Sequence, residues 1–185
     1  MKEEGAPSAP IRSRGGTAAE KRLRTRDSLW PEASKIVWSR KTDDGYCSLP
    51  RTLPLIMTLI NILSPKGKGD ASRVYQELWF HDFDLGFIDI GDERAHAFAA
   101  GYTTPSRGVR SWYERISVLE DLGFIMTKPQ GSQRVGYVLL VHPHDVVESL
   151  RAKRDVPEDW YGAFTKRVEG TGARQGSKPS NKKAK

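Results

Sequence analysis

Apolar positions change their period several times between residues 53 and 165, and each change marks an element. Leu53, Ile56, Met57, Ile60 and Leu63 follow one another at the three- and four-residue spacings of a single helix face. Pro54 is tolerated in the first turn, where its missing amide has no partner to lose, and Pro65 ends the helix. Pro65 to Asp70 (Pro-Lys-Gly-Lys-Gly-Asp) then reads as a loop. A second helix is expected from near Ser72 to about Gly86, turning Val74, Tyr75, Leu78, Trp79 and Phe83 inward. Phe87 to Ile90 form an extended run too short to stand alone, so it needs strand partners later in the chain.

Asp92 reads as the N-cap of a further helix that carries Ala95, Phe98 and Ala99 inward, with Gly101 at the left-handed C-cap. Tyr102 to Pro105 make the turn, and Ser106 is placed to cap the next helix. On that helix Val109, Trp112, Ile116 and Leu119 share one face, Leu122 continues it to Gly123, and the opposite face shows Arg107, Arg110, Ser111, Glu114 and Arg115. Phe124 to Thr127 and Val135 to Val141 read as paired strands, joined by a tight connection over Lys128 to Arg134. Val146, Val147 and Leu150, then Val156 to Phe164 with Trp160 and Tyr161, read as one or two closing helices. The fold class is α+β, mostly helical, with a small antiparallel sheet.

Composition changes the picture at the two ends. Residues 1–28 lack apolar periodicity and cannot offset their own ordering entropy, so they read as a disordered basic arm. Their cluster Lys21, Arg22, Arg24 and Arg26 suits phosphate contact, nuclear import or a plain solvated linker. Residues 166–185 read as a disordered basic tail, which leaves one folded domain over 29–165. The formal charge of +7 suggests a polyanionic partner, but its location matters more than its size. Residues 1–28 hold seven basic and four acidic side chains, 166–185 hold seven and one, and the stretch between holds sixteen and eighteen. The basic pI of 9.6 therefore belongs to the ends and does not by itself argue for nucleic acid.

Several chemistries find little support. Leu53 to Leu63 is the longest apolar stretch, too short for a membrane span, and the first five residues have no apolar signal core. Cys47 is the only cysteine, which excludes an internal disulfide and a cysteine-rich zinc site and suits a reducing compartment. No histidine stands near it to activate it. Gly67 and Gly69 lack the Lys-Ser/Thr of a phosphate-binding loop. His142 and His144, followed by Asp145, would suit a metal only with further ligands, and His81, Asp82 and Asp84 read as a solvated helix end. No metal, cofactor or enzymatic activity is expected.

The run Leu119-Glu-Asp-Leu-Gly-Phe-Ile125, with Gly101 and Trp112 upstream, resembles the winged helix-turn-helix superfamily of bacterial regulators and plasmid replication initiators. The similarity spans about 91–141, and the turn from Tyr102 to Gly108 is longer than the usual three or four residues. The resemblance implies a winged helix-turn-helix core with extra N- and C-terminal helices. It implies sequence-specific binding of double-stranded DNA by a cytoplasmic, nucleoid-associated transcription or replication regulator of a mobile element.

Arg107, Arg110 and Ser111 would then face base edges, with Arg115 on a phosphate. Thr103, Thr104 and Ser106 would meet phosphate near the helix start. Lys128, Gln130, Ser132, Gln133 and Arg134 would form the wing. A protein-interaction module docking through Asp82 to Glu93 is the first rival, and a small metal-dependent enzyme at His142 and His144 the second. A homodimer or a protein partner stays open; no membrane partner is expected.

Overall fold

A computed structural model of the chain describes residues 17–40, 43, 45–68, 70–153 and 156–172. The chain divides into two compact units, with the boundary between Tyr46 and Cys47.

The first unit holds α1 (Ala18–Leu29) and the short α2 (Ala33–Ile36). Helix α1 corrects the expected disordered arm over its second half. The cause is a capping box: the Glu20 carboxylate accepts the Thr17 amide at 2.7 Å, and the Thr17 hydroxyl accepts the Glu20 amide at 3.3 Å. Two end amides that would otherwise lack partners are satisfied reciprocally. The helix carries Lys21, Arg22, Arg24 and Arg26 and has no buried residue. Residues 1–16 of the expected arm lie outside the described residues.

The second unit is α+β and mostly helical. Its order is α3 (Leu53–Leu63), α4 (Ala71–Phe80), β1 (Phe87–Asp89), α5 (Glu93–Ala99), α6 (Gly108–Leu122), β2 (Ile125–Gln130), β3 (Gln133–Leu140), α7 (Pro143–Lys153) and α8 (Glu158–Thr171). Helix α8 runs past Thr165 because Val168, one turn beyond Phe164, is buried, so the expected tail over 166–185 begins as helix. Residues 173–185 lie outside the described residues. No helix among the described residues is long and apolar enough to cross a membrane.

The sheet is antiparallel in the order β1-β3-β2, so the early Phe87 run finds its partner in β3. Ile88 pairs with Val138, and Ile125 with Leu140; these four face the core. The alternate row Phe87, Leu139 and Met126 crosses all three strands on the outer face and is exposed. Strands β2 and β3 run further than expected and meet in a turn at Gly131 and Ser132, with Gly131 at φ 57°. The register slips between Lys128 and Gln130, around Pro129, which has no amide to donate. Gly136 fits beneath that bulge because a Cβ there would lie 2.1 Å from the Cβ of Gln130.

Helices α3, α4 and α6 pack together around Ile56, Leu59, Ile60, Val74, Tyr75, Leu78, Trp112, Ile116 and Leu119, all buried. Two expected inward faces need correction. Helix α4 stops at Phe80, and the Asp82 carboxylate accepts the amides of Leu85 and Gly86, closing a turn that leaves Phe83 exposed. In α5 the buried residues are His96 and Ala97, followed by Ala100; Ala95, Phe98 and Ala99 face outward. His96 takes the inward position because a buried carboxylate, Glu77 on α4, receives it at 2.9 Å. The closing helices lock onto α3: the Trp160 indole donates to the Leu55 carbonyl at 2.8 Å, and His144 meets the Thr52 hydroxyl at 2.9 Å. His144 is thereby part of the packing, with its ring against Phe164.

Candidate nucleic-acid interface

Two glycine-ended helices frame the site. Gly101 (φ 92°) and Gly123 (φ 85°) take the left-handed conformation expected of them. After each, an amide reaches back five residues, Tyr102 to Ala97 and Phe124 to Leu119, so both helices close in the same way. Between them residues 100–107 link α5 to α6. Gly108 opens α6 beneath the Tyr102 carbonyl, which would stand 2.4 Å from any Cβ at that position. Only glycine admits this approach.

Helix α6 has no side-chain cap and no acid in its first turn. Ser106 is exposed and does not cap it; Arg107 occupies the N-cap position. The expected cap is displaced because the turn closes on backbone instead, with the Thr104 carbonyl accepting the amides of Arg107 and Gly108. Thr103 and Thr104 are exposed beside this helix start and line a cleft with Arg94, Tyr102 and Val109. The first turn of α6 therefore has no acid to offset the positive end of the helix dipole.

The two sides of α6 differ as the periodicity predicts. Trp112, Ile116 and Leu119 are fully buried, whereas the Arg110 side chain is 83% exposed. Arg107 is also exposed. Arg110 lies 3.4 Å from Glu114 one turn on, an exposed pair that costs little to separate. Arg110, Arg134 and Lys68 converge on one cleft of about 460 Å³, floored by Val109, Tyr113 and Ser117. The Tyr113 hydroxyl donates to Glu93. Burial, and then the Glu93 carboxylate that holds its proton, push the Tyr113 phenol up to about 12.

Arg115, expected on a phosphate, is placed differently from Arg110. Its side chain is only 15% exposed and lies over the Tyr102 ring, 5.3 Å from the centroid, with a bond to the Ser111 carbonyl at 3.3 Å. It braces the turn against α6. Burial in turn raises the Tyr102 phenol above its ordinary range, against the lowering charge of Arg115. On the hairpin, Lys128, Gln130, Ser132 and Arg134 are exposed. Gln133 is not: it is half-buried, its amide nitrogen has no hydrogen-bond partner, and it lines a shallow recess with Asp92, Glu93 and Arg94. Ser111 is half-buried at the edge of the exposed face.

Sequence reasoning passed over Lys68, because a loop before α4 gives no hint that it returns to α6. The alternation Lys66-Gly-Lys68 was the available signal. It also passed over Glu77 and His96, which meet His81 across two helices. No family model, curated protein or solved structure matches the chain.

Proposed function

We propose that the chain is a sequence-specific double-stranded DNA-binding protein with a winged helix-turn-helix core, acting as a transcription or replication regulator of a mobile element. In this reading α6 is the recognition helix and the β2–β3 hairpin the wing. The observation that carries it is the division of α6, with Trp112, Ile116 and Leu119 buried on one side and the Arg110 side chain 83% exposed on the other. An exposed arginine near the start of such a helix suits the paired acceptors O6 and N7 of guanine, a contact worth about 1–3 kcal/mol in discrimination.

Each remaining residue takes a role from its place. Arg107 stands beside Arg110 at the helix start, and Ser111 lies at the margin of the same face. Thr103, Thr104 and Ser106, next to an uncapped helix N-terminus, suit a phosphate. Lys68 and Arg134 flank Arg110 in the cleft and suit the two phosphate backbones bordering the groove. Lys128, Gln130 and Ser132 extend the contact along the wing. Arg115 and Gln133 have no part in it. The proposed role places the protein in the cytoplasm, on the nucleoid.

Selection from random duplexes tests the reading. The expected result is one enriched motif containing guanine, bound with an affinity that falls steeply as salt rises, because each phosphate contact releases a counterion. A pool unchanged after selection contradicts it.

A second reading, a protein-docking module, is favoured by one observation: the exposed apolar row Phe87, Leu139 and Met126 on the outer face of the sheet. Binding through that row would be insensitive to salt.

A further inference from the structure

Glu77 on α4 and His81 at its C-cap lie one turn apart and so share a face, and α5 brings His96 to the same point. One carboxylate oxygen, Oε1 of Glu77, stands 2.9 Å from Nε2 of His81 and 2.9 Å from Nδ1 of His96. The coordinating atoms of all three side chains lie within 4.8 Å of one another. Glu77 and His96 are each only 5% exposed, whereas His81 reaches the surface. The second carboxylate oxygen, Oε2 of Glu77, is buried without a hydrogen-bond partner.

That arrangement is expensive as it stands. A buried carboxylate needs its lone pairs satisfied, and here one oxygen is shared by two rings while the other has none. A cation held among the three groups lowers this cost, because it neutralises the buried carboxylate and takes one lone pair from each side chain. Two imidazole nitrogens and one carboxylate oxygen are the donor set of zinc and its first-row neighbours; calcium and magnesium prefer oxygen alone. Bonds of about 2.0–2.1 Å to a tetrahedral ion put neighbouring ligand atoms roughly 3.3 Å apart. The two 2.9 Å contacts open by a few tenths of an ångström to reach this, while the two imidazole nitrogens, which lie within 4.8 Å of each other, close toward the ion by rotation of the surface His81 ring.

We propose that Glu77, His81 and His96 bind one divalent transition-metal ion of the zinc class, with a further coordination position open to the adjoining cleft. That cleft, about 360 Å³, is lined by Glu77 and His81 themselves and by Arg73, Gln76, Phe80 and Gly101. It has room for a water or a small anionic ligand on the ion, with the Arg73 guanidinium in its wall. Ligands from α4 and α5 make the ion a clasp between the two helices. The His96 ring lies 6.3 Å, centre to centre, from Trp112 on α6, so the clasp holds α5 against the helix that carries Arg110. The site does not depend on the DNA-binding reading.

The experiment uses the untagged full chain, stripped with a chelator. Zn²⁺ is titrated by calorimetry and Co²⁺ by its ligand-field absorption. The expected result is one ion per chain. Loss of an outer-shell partner weakens metal sites by roughly 10–100-fold, so loss of the ligand in His81→Ala should weaken binding by on the order of 100-fold. His81 is half-exposed, so this variant keeps its core; matching circular dichroism and melting of the metal-free proteins check that. His142→Ala, at the other histidine pair, should bind as the unaltered chain does. Absence of stoichiometric binding, equal affinity in His81→Ala, or loss of binding in His142→Ala overturns the proposal.

Discussion

The guanidinium of Arg134 lies 5.4 Å from the centre of the Tyr113 ring, so a side chain from the β3 end of the hairpin rests on the exposed flank of α6. Two elements that the proposed function needs to present together are thus joined by a cation-π contact, in a cleft that also holds Arg110 and Lys68.

Tyr113 makes this junction sensitive to alkali. Its phenol ionises near 10 when unfolded and at about 12 in the fold, raised first by burial and then by Glu93. A raised value means that the folded state keeps the proton longer, so the contribution is complete below about pH 10 and disappears as pH rises through about 12. Urea unfolding at about pH 9 and about pH 11 should show a loss of stability that is smaller in Tyr113→Phe. An equal loss in the two proteins would show that Tyr113 is not held in this way.

The two arginines on α6 should separate stability from binding. Arg110→Ala, at an exposed position, should leave the urea midpoint within the equivalent of about 0.5 kcal/mol. On the proposed function it should also remove about 1–3 kcal/mol of preference for the selected duplex. Arg115→Ala should do the reverse, because the packing over Tyr102 and the bond to Ser111 are lost.

Gly136 and Gly108 are required by close approaches and not by positive φ. Gly136→Ala should cost about 1–3 kcal/mol, since its Cβ would fall on Gln130 and push the hairpin apart at the bulge. Gly108→Ala should cost a similar amount by driving the start of α6 off the Tyr102 carbonyl. Denaturant unfolding measures both. Unchanged midpoints would mean that the backbone gives way more easily than these distances allow.

The capping box on α1 offers a local test. Thr17→Ala should destabilise the helix by about 0.5–2 kcal/mol, seen as faster amide exchange over residues 18–24 with the second unit unaffected.

What could be read from the residues, and what could not, divides along physical lines. Helices α3 and α6 were legible because their apolar positions keep helical spacing for three turns or more. The ends at Gly101 and Gly123 were legible because positive φ selects glycine. The seven-residue α5 was placed but rotated, since so short a helix has little contrast between its faces and its inward histidine is explained only by Glu77, nineteen positions earlier. The packing of Arg115 was not legible, because periodicity assigns a side, whereas a long aliphatic stem can fold back from that side onto a neighbour such as Tyr102. The Thr17–Glu20 box went unread, because the stretch around it has no apolar periodicity to mark a helix. Lys68 and the Glu77, His81, His96 group are products of tertiary approach, which spacing along the chain does not encode.

Mapping amide chemical shifts of the full chain as a duplex is added decides the DNA-binding reading, because it reports which surface is touched. Shifts are expected at Lys68, Arg107, Arg110, Ser111, Lys128, Gln130, Ser132 and Arg134, reversed by added salt. Shifts centred on Phe87, Leu139 and Met126, or none beyond residues 1–46 and 173–185, would contradict it.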